Sequence, residues 1–367
     1  MRIAVWNTAF LGDAVLTLPL LLTLRRAYPG AELDFYVRRG FAELFAGHSA
    51  IDRVYAYDKR GGERGLRAIL AYGEKLRARR YDLWISAHNS LRSAFMAGQS
   101  RAEERLGYAA PRLCRLFYTR TAARRFPELH EVDRLLQLAR ALGISDCAGW
   151  PELEPPPPLR ARAGEFFRGH RQRPVLGLHP GSVWPTKRWP VKYFARLGLT
   201  ALEKGARLAL FAGPGEEATA AELLHLVRLG AARSYRVLSG AFYSGKNAPD
   251  KNRVEEADIL DFSGCLALPE LAAFIAELDC YLGNDSGPMH LAWAQRIPVV
   301  AVFGPTTPDL GFAPRGELSG VAEVKDLPCR PCGLHGPRLC PRKHHLCMRA
   351  LRPERVWPEV ERRLWKL

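Results

Sequence analysis

Short apolar runs alternate along the chain with longer segments in which apolar residues recur every three or four positions. The first apolar runs are RIAVWN, ELDFYV, RVYAYD and DLWISAH, and segments such as DAVLTLPLLLTLRRAY and ERGLRAILAYGEKLRARR separate them. Runs of this length predict buried strands, and the intervening spacing predicts amphipathic helices. The pattern therefore indicates repeated βα units around a parallel sheet.

The alternation stops at WPELEPPPPLR, where four consecutive prolines span Pro155–Pro158. Proline lacks an amide donor and disfavours helix, so this stretch predicts a linker, which we place at 155–174. A second series of strands follows: PVLGLHPGS, ARLALFAG, ILDFSG, DCYLGND and PVVAVFG. Helices are predicted between them, starting near Pro190, Glu216, Leu268 and Pro288.

Two such series predict an α/β protein with two Rossmann-like, doubly wound parallel-sheet domains that face each other across a cleft. The first domain is predicted over 1–154 and the second over 175–350. The remaining segment, 351–367, predicts a helix that packs back toward the first domain.

Composition and charge limit the classes of protein that fit. The chain has 367 residues, of which 47% are hydrophobic, and its longest apolar run, LTLPLLLTL, is too short for a membrane span of about 20 residues. The N-terminus reads as a strand and not as a signal peptide, so a cytoplasmic protein is expected. A net charge of +16 favours anionic partners: nucleotides, nucleic acid, acidic membrane surfaces or phosphorylated glycolipid.

Ligands of open parallel sheets bind beyond the carboxyl ends of the strands, so the loops that follow the strands are the most informative. Those loops are NTAFLGDAVL in the first domain and HPGSVWPTKRWP, AGPGEEA and GNDSGPMHLA in the second. In the last three, small residues precede a helix start, so that backbone amides and the helix dipole can meet an anion. These loops predict a diphosphate site.

Each candidate residue also has a purely structural interpretation. Asp13 at a helix start is as consistent with a cap as with catalysis, and Asp285 or Ser286 can cap a helix in the same way. Lys187 can be a solvated surface charge and His290 a hydrogen-bonded core histidine. The common edge of the sheets on which all of them are predicted to lie favours a shared site.

Four segments together resemble the ADP-heptose:lipopolysaccharide heptosyltransferase family, nearest to its heptosyltransferase II branch. They are LGDAVLTLPLLLTLRRAYPGAELDFYV, HPGSVWPTKRWP, NDSGPMHLAWAQRIPVVAVFGPT and CRPCGLHGPRLCPRKHHLCMRALRPERV. The resemblance implies a GT-B fold, with an acceptor-binding first domain and a nucleotide-sugar-binding second domain. It implies an ADP-sugar donor, a lipopolysaccharide core acceptor and catalysis without a divalent metal. The polar loop at 242–258 is longer than is usual in the family.

The resemblance assigns roles to the residues of two loops. Asp13, in LGDAV, matches the base that takes the proton of the acceptor hydroxyl. In NDSGPMHLA, the amides of Ser286 and Gly287 are expected to donate to the diphosphate, with Asp285 in the same loop. His290 reaches back from the first turn of the helix.

Two further loops complete the predicted donor site. Lys187 supplies the cation that a metal supplies in other glycosyltransferases, and it neutralises the leaving ADP. Ser182 adds a hydrogen bond. Glu216 matches the family position near the nucleotide ribose, and Glu217 is its close competitor.

The C-terminal segment contains a cysteine cluster with the spacing C-x2-C-x7-C-x6-C. Its members are Cys329, Cys332, Cys340 and Cys347. In a reducing cytoplasm this compact spacing predicts a structural zinc or iron as readily as it predicts reduced, packed thiols or a pair of disulfides. The spacing alone leaves these alternatives open.

Two function classes follow. The first is an inverting glycosyltransferase that moves heptose, or another nucleotide-linked sugar, to an anionic core acceptor, with peripheral contact at the inner face of the inner membrane. Its arginine-rich segments RRYD and LRSAFMAGQSRAEERLGY would then meet the acceptor. The second is a basic nucleic-acid-binding protein with a zinc module, which is less favoured. A dinucleotide oxidoreductase is disfavoured because no G-x-G-x-x-G follows a strand.

Overall fold

The computed structural model describes residues 1–59, 61–63, 65–241 and 258–366. The chain divides into two compact units, Met1–Leu159 and Arg160–Leu367. Residues 242–257 of the polar loop lie outside the described residues. Within the described ranges, no helix combines the length and the apolar character that a membrane crossing requires.

The described residues of the first unit form a six-stranded parallel sheet in the order β3-β2-β1-β4-β5-β6. The strands are β1 (Arg2–Asn7), β2 (Glu32–Arg38), β3 (Arg53–Tyr57), β4 (Leu83–Ser86), β5 (Glu104–Tyr108) and β6 (Arg120–Ala122). The helices are α1 (Leu11–Leu16), α2 (Leu18–Ala27), α3 (Ala42–Phe45), α4 (Leu66–Ala78), α5 (Leu91–Ser100) and α6 (Glu131–Ala141).

The second unit repeats this plan. Its described residues form a six-stranded sheet in the order β12-β11-β10-β7-β8-β9. The strands are β7 (Val175–His179), β8 (Arg207–Leu210), β9 (Ile259–Asp261), β10 (Cys280–Asn284), β11 (Val299–Phe303) and β12 (Ser319–Glu323). The helices are α7 (Pro157–Arg168), α8 (Val191–Glu203), α9 (Glu217–Ala241), α10 (Leu268–Ile275), α11 (Gly287–Ala294), α12 (Leu346–Arg349) and α13 (Pro353–Leu364).

Numbered from its own first strand, each sheet has the order 3-2-1-4-5-6, which is the order of dinucleotide-binding Rossmann sheets. The chain direction across the sheet reverses between β1 and β4 in one unit and between β7 and β10 in the other. A crevice for ligands forms at such a reversal, outside the carboxyl ends of the two strands. A pair of such units is the architecture of the GT-B class, and the predicted fold class is confirmed.

The central strands are buried on both faces, as their apolar sequences predict. All the residues of β7, β10 and β11 are buried. In the first unit, Trp6 of β1 packs against Tyr57 and Trp84 at ring-centroid distances of 4.8 and 5.5 Å. Helices pack against the strands of each sheet, and the loops at the strand ends remain accessible.

Three strands were not predicted from the sequence: β5, β6 and β12. β6 and β12 lie at the sheet edges, where a strand is less fully covered, and they carry few large apolar residues. β5 lies inside the sheet, but it begins with Glu104 and Arg105, which are only partly buried. A strand that is only half covered does not need the continuous apolar run on which the prediction depended.

Two local predictions differ from the structure. The proline run does not exclude helix, because α7 begins at Pro157, and proline is tolerated in the first turn, where an amide has no helical partner. The C-terminal helix α13 contributes Val356, Val360 and Leu364 to the core of the second unit. It packs against α8 and the strands of that unit, although the sequence placed it toward the first domain.

Candidate active site

Asp13 lies at the carboxyl edge of the first sheet, on the third residue of α1, which follows β1. Its Oδ2 accepts a hydrogen bond from the amide of Phe10 at 3.0 Å. The Asn7 side-chain amide stabilises helix α1, because it donates to the Asp13 carbonyl at 3.1 Å and to Thr17 Oγ1 at 2.7 Å. The Asp13 carboxylate is therefore held by one oxygen, as in the second half of a capping box.

Burial raises the pKa of Asp13, although the Phe10 amide and the charges of Arg124 and Lys59 oppose that rise. Arg124 is fixed by both oxygens of the buried Glu131, each at 2.9 Å. Arg134, which is fully buried, donates to the same carboxylate at 3.0 Å. The result is a carboxylate with a raised pKa beside a held guanidinium, a setting that suits a general base.

His88 follows β4, the strand beside β1, and faces the same edge. Burial, together with the charges of Lys59 and Arg124, lowers the pKa of His88 to about 4, so its ring is neutral at pH 7. Its Nδ1 lies 3.2 Å from Ser93 Oγ. The sequence prediction missed both His88 and Arg124. The edge rule could have found His88, which follows the predicted strand β4, but not Arg124, which follows β6, a strand that was not predicted.

One arginine-rich segment predicted to meet the acceptor lies at the wrong edge. RRYD precedes β4, so it lies at the amino edge of the sheet, opposite to Asp13. There the guanidinium of Arg79 stacks on the Tyr55 ring at 3.9 Å. Arg92, from the second segment, lies in the first turn of α5 at the carboxyl edge and donates to the Lys59 carbonyl at 3.1 Å.

In the second unit a buried ion pair lies at the reversal between β7 and β10. Lys187 Nζ is 2.5 Å from Asp285 Oδ2, and Thr306 Oγ1 donates to the same oxygen at 2.6 Å. Burial alone would raise the pKa of Asp285, but the Lys187 ammonium and these hydrogen bonds hold it below its usual value. Lys187 is thus a paired, buried charge and not a solvated one.

The two loops that carry this pair are fastened to each other by Asn284. Its side-chain amide donates to the Pro180 carbonyl at 2.8 Å, and its Oδ1 accepts from the Trp189 amide at 2.9 Å. Ser182, another predicted donor-site residue, is buried in the same loop, and its Oγ accepts from the Trp184 amide at 3.4 Å.

The start of α11 carries two polar atoms that make no hydrogen bond within the part of the chain that the structure describes. Ser286 is the N-cap residue, but its side chain makes no capping bond, and Gly287 and Pro288 follow it. Ser286 Oγ and His290 Nδ1 are buried, and neither has a hydrogen-bond partner among the described residues. Burial lowers the pKa of His290 to about 4, with Asp285 opposing the shift and Lys187 adding to it, so the ring is neutral. Buried polar atoms of this kind are normally satisfied by water or by a ligand, and these two lie together at a helix start.

The structure distinguishes the two glutamates after β8. Glu216 lies at the sheet edge, where its Oε2 is 2.9 Å from His179 Nε2 and accepts from the Gly213 amide at 2.9 Å. Glu217 is exposed and accepts from the Gly215 amide. Glu216 therefore lies with the other edge residues, while Glu217 serves the turn.

The cysteine-containing segment, residues 329–347, packs over the Lys187 loop. His345 Nε2 lies 2.7 Å from the Thr186 carbonyl, and the His335 ring stacks on Trp184 with a 6.1 Å centroid separation. The Arg330 side chain is 2% exposed and donates to the Thr306 carbonyl at 2.8 Å and to Glu323 at 2.9 Å. The segment therefore braces the residues around Asp285, a role that its spacing does not reveal.

The prediction of a structural zinc or iron at this segment has no support in the geometry. Among the described residues, which include all four cysteines, no group of three or more His, Cys, Asp or Glu side chains is placed to hold a metal. All eight cysteines of the chain are free thiols. Burial raises the pKa of Cys347 to about 11, which keeps this thiol protonated.

We therefore expect protein purified without chelators to contain no stoichiometric zinc or iron by elemental analysis. Titration with a thiol reagent under denaturing, non-reducing conditions should count eight thiols per chain, as the structure has them. One metal equivalent that is released together with four newly reactive thiols would contradict this prediction.

The sequence model of the family described as Glycosyltransferase family 9 (heptosyltransferase) matches residues 69–238 and 242–336. The chain belongs to glycosyltransferase family 9. It is a glycosyltransferase, and the predicted resemblance is confirmed. This membership favours sugar transfer over the nucleic-acid-binding alternative.

Named relatives cover almost the whole of this glycosyltransferase. Lipopolysaccharide heptosyltransferase 1 of Pseudomonas aeruginosa is 29% identical, over 98% of this chain and 97% of its own. The solved E. coli ADP-heptose lps heptosyltransferase II has a TM-score of 0.76 at 22% identity, covering 100% and 99% of the two chains. E. coli heptosyltransferase WaaC, solved with ADP-2-deoxy-2-fluoro heptose, has a TM-score of 0.67 at 23% identity, covering 98% and 99%.

Proposed function

We propose that this glycosyltransferase moves heptose from ADP-heptose to the inner core of lipopolysaccharide, with inversion at the anomeric carbon. Family membership supports the reaction class. The names of the relatives support the sugar and the acceptor.

The observation that carries the donor assignment is the pair of unpaired buried atoms at the start of α11, Ser286 Oγ and His290 Nδ1. A diphosphate brings acceptor oxygens and negative charge, and both are favoured at a helix N-terminus. Because the His290 ring is neutral, it can present an N–H to an oxygen without requiring a proton from solvent. The Lys187 ammonium lies within the same set of loops and supplies positive charge as the leaving ADP forms.

We assign the base to Asp13. An acceptor hydroxyl becomes a competent nucleophile when a positioned base takes its proton, and burial raises the pKa of Asp13 toward the range in which a carboxylate does so efficiently. Arg124 and Lys59 are the cations whose charges lower the pKa of Asp13. Positive charge at this position suits an acceptor that carries phosphate or carboxylate groups. In one displacement, the acceptor oxygen bonds to the anomeric carbon while the bond to the ADP oxygen breaks.

The acceptor is lipid-linked, so we place the enzyme in the cytoplasm with peripheral contact at the inner face of the inner membrane. The net charge of +16 is compatible with that surface, which carries anionic lipids. Neither ADP-sugar binding nor sugar transfer in this proposal depends on a divalent metal.

A thermal-shift screen across ADP, UDP, GDP and NAD tests the donor class. We expect a saturable rise in melting temperature with ADP and a much smaller one with the others, because a ligand that binds only the folded state stabilises it by mass action. A larger shift with UDP or GDP would replace ADP-heptose with another nucleotide sugar as the donor. Retention on DNA at low salt without any ADP shift would instead favour a nucleic-acid-binding protein.

A further inference from the structure

We propose that Tyr281 and His179 are positioning residues: they form a buried hydrogen-bonded relay that fixes the Glu216 carboxylate, so that the donor site selects a nucleotide with an intact ribose diol. The inference rests on the proposed function, which brings an ADP sugar to this edge of the sheet. Tyr281 OH lies 3.1 Å from His179 Nδ1, and His179 Nε2 lies 2.9 Å from Glu216 Oε2.

Tyr281, at the buried end of the relay, determines which atom donates the proton in each hydrogen bond. Tyr281 is fully buried, and burial, with a contribution from Glu216, raises the pKa of Tyr281 well above its ordinary value. Its hydroxyl therefore keeps its proton and donates it to His179 Nδ1. Because a ring nitrogen that accepts a hydrogen bond carries no proton, the His179 proton then lies on Nε2, from which it donates to Glu216.

The relay uses only one of the two carboxylate oxygens of Glu216. Oε2 accepts from His179 and also from the Gly213 amide, at 2.9 Å in both cases. Among the residues that the structure describes, both hydrogen bonds to this carboxylate go to Oε2 and none goes to Oε1, and the Glu216 side chain is only 12% exposed. A fixed carboxylate that presents its second oxygen from a recess is suited to accept from neighbouring hydroxyls.

Two glycines make room for the relay. A Cβ on Gly283 would lie 2.8 Å from the Tyr281 ring and hydroxyl, so the ring can lie along β10 only over a glycine. A Cβ on Gly181 would lie 2.0 Å from Glu216 Oε2, closer than any side chain allows. Gly283 is also the register partner of His179 on the neighbouring strand. The backbone at the reversal between β7 and β10 is thus shaped around these three side chains.

A purely structural role would stabilise the unit without affecting the choice of ligand, so nucleotide discrimination is the informative measurement. We expect the wild-type protein to bind ADP about tenfold or more tightly than 2′-deoxy-ADP in calorimetric titrations, the scale of one hydrogen bond to a charged group. In Tyr281→Phe the ring still covers Gly283, but His179 loses its fixed donor. Its preference for ADP should fall to within about threefold, while its affinity for 2′-deoxy-ADP stays near that of the wild type.

The matched control is Tyr193→Phe, which removes another hydrogen-bonded tyrosine hydroxyl that is almost fully buried in the same unit. It should keep the wild-type preference. At His179, Gln carries an N–H donor at about the position of Nε2 and should retain most of the preference, whereas Leu should abolish it.

The outcomes separate the relay from the proposed function. If Tyr281→Phe and His179→Leu bind ADP and keep the full preference over 2′-deoxy-ADP, the relay is overturned while the ADP-sugar assignment stands. An equal loss of affinity for both nucleotides in these variants would also overturn the relay, because it would indicate structural damage. If the wild-type protein binds no ADP, the relay and the proposed function fall together.

Discussion

The Asp13→Asn variant is expected to fold and to bind the donor, and to turn over about a hundredfold or more slowly than the wild-type enzyme. Asparagine keeps an oxygen that can accept from the Phe10 amide, which is the hydrogen bond that Asp13 makes at 3.0 Å. The amide cannot take a proton from the acceptor hydroxyl. Turnover with saturating donor and acceptor, measured beside ADP binding, separates these two roles.

The pH dependence gives a second test of the base. Burial raises the pKa of Asp13 above its ordinary value of 3.8, while Arg124 and Lys59 limit the rise. A base works only when deprotonated, so wild-type kcat/KM should fall as the pH drops through this raised pKa. In Asp13→Asn the residual rate should lack that fall on the acidic side.

Asp133 offers a matched control because it occupies the third position of α6, just as Asp13 occupies the third position of α1. Asp133→Asn makes the same chemical change in the same unit and should leave turnover unchanged. If Asp13→Asn turns over at the wild-type rate, the carboxylate serves only the helix start. Comparable losses of turnover in Asp13→Asn and Asp133→Asn would also contradict the catalytic assignment, because they would indicate that the substitution acts by destabilising a helix start.

The fold was predictable from the sequence because the central strands carry their own signal. A strand buried on both faces needs an unbroken apolar run, and the runs at β1, β7 and β11 are of this kind. Edge strands such as β6 lack that requirement, so their sequences are ambiguous. Local chemistry also misled the prediction at Pro157, where the same ring that breaks a helix interior is accepted in its first turn.

The placement of candidate site residues was predictable where they follow a strand, since strand ends in a parallel sheet share an edge. That rule identified Asp285 and Glu216, and both lie at the edge. It could not identify what those carboxylates contact. Arg330 reaches the Asp285 site from a segment that follows the last strand, and Tyr281 reaches His179 from inside a strand. Such contacts depend on tertiary packing, which residue spacing does not encode.

The second large effect is expected on replacing Lys187, and it includes a loss of folding stability. If Lys187 were a solvated surface charge, its replacement would have little effect on folding. In the structure its ammonium lies 2.5 Å from the buried Asp285, so Lys187→Met leaves that carboxylate with Thr306 as its one remaining side-chain hydrogen-bond donor among the described residues. Removing one member of a buried ion pair costs about 3–5 kcal/mol, and chemical denaturation should show a loss of that size.

Lys187→Met should also lose turnover by a factor of about 10² to 10³, the range for a group that stabilises developing charge on a leaving group. Because the variant is destabilised, its low turnover alone does not identify the cause. The double variant Lys187→Met/Asp285→Asn resolves this, since a neutral amide can stay buried beside Thr306. We expect it to recover most of the lost stability and none of the turnover. Recovery of both would mean that Lys187 acts only by neutralising Asp285.

The dependence of stability on pH checks the electrostatic origin of the effect. In the wild-type protein the pKa of Asp285 is lowered, against the effect of burial, by Lys187 and its hydrogen bonds, so its contribution to stability is present above the unfolded pKa and is lost only in strong acid. Without Lys187, burial should raise the folded pKa above the unfolded value. Lys187→Met should then gain stability relative to the double variant as the pH falls from 8 to 5, because protonation discharges the buried carboxylate. A difference between the two variants that stays constant over that range would show that the lost lysine acts through packing and not through charge.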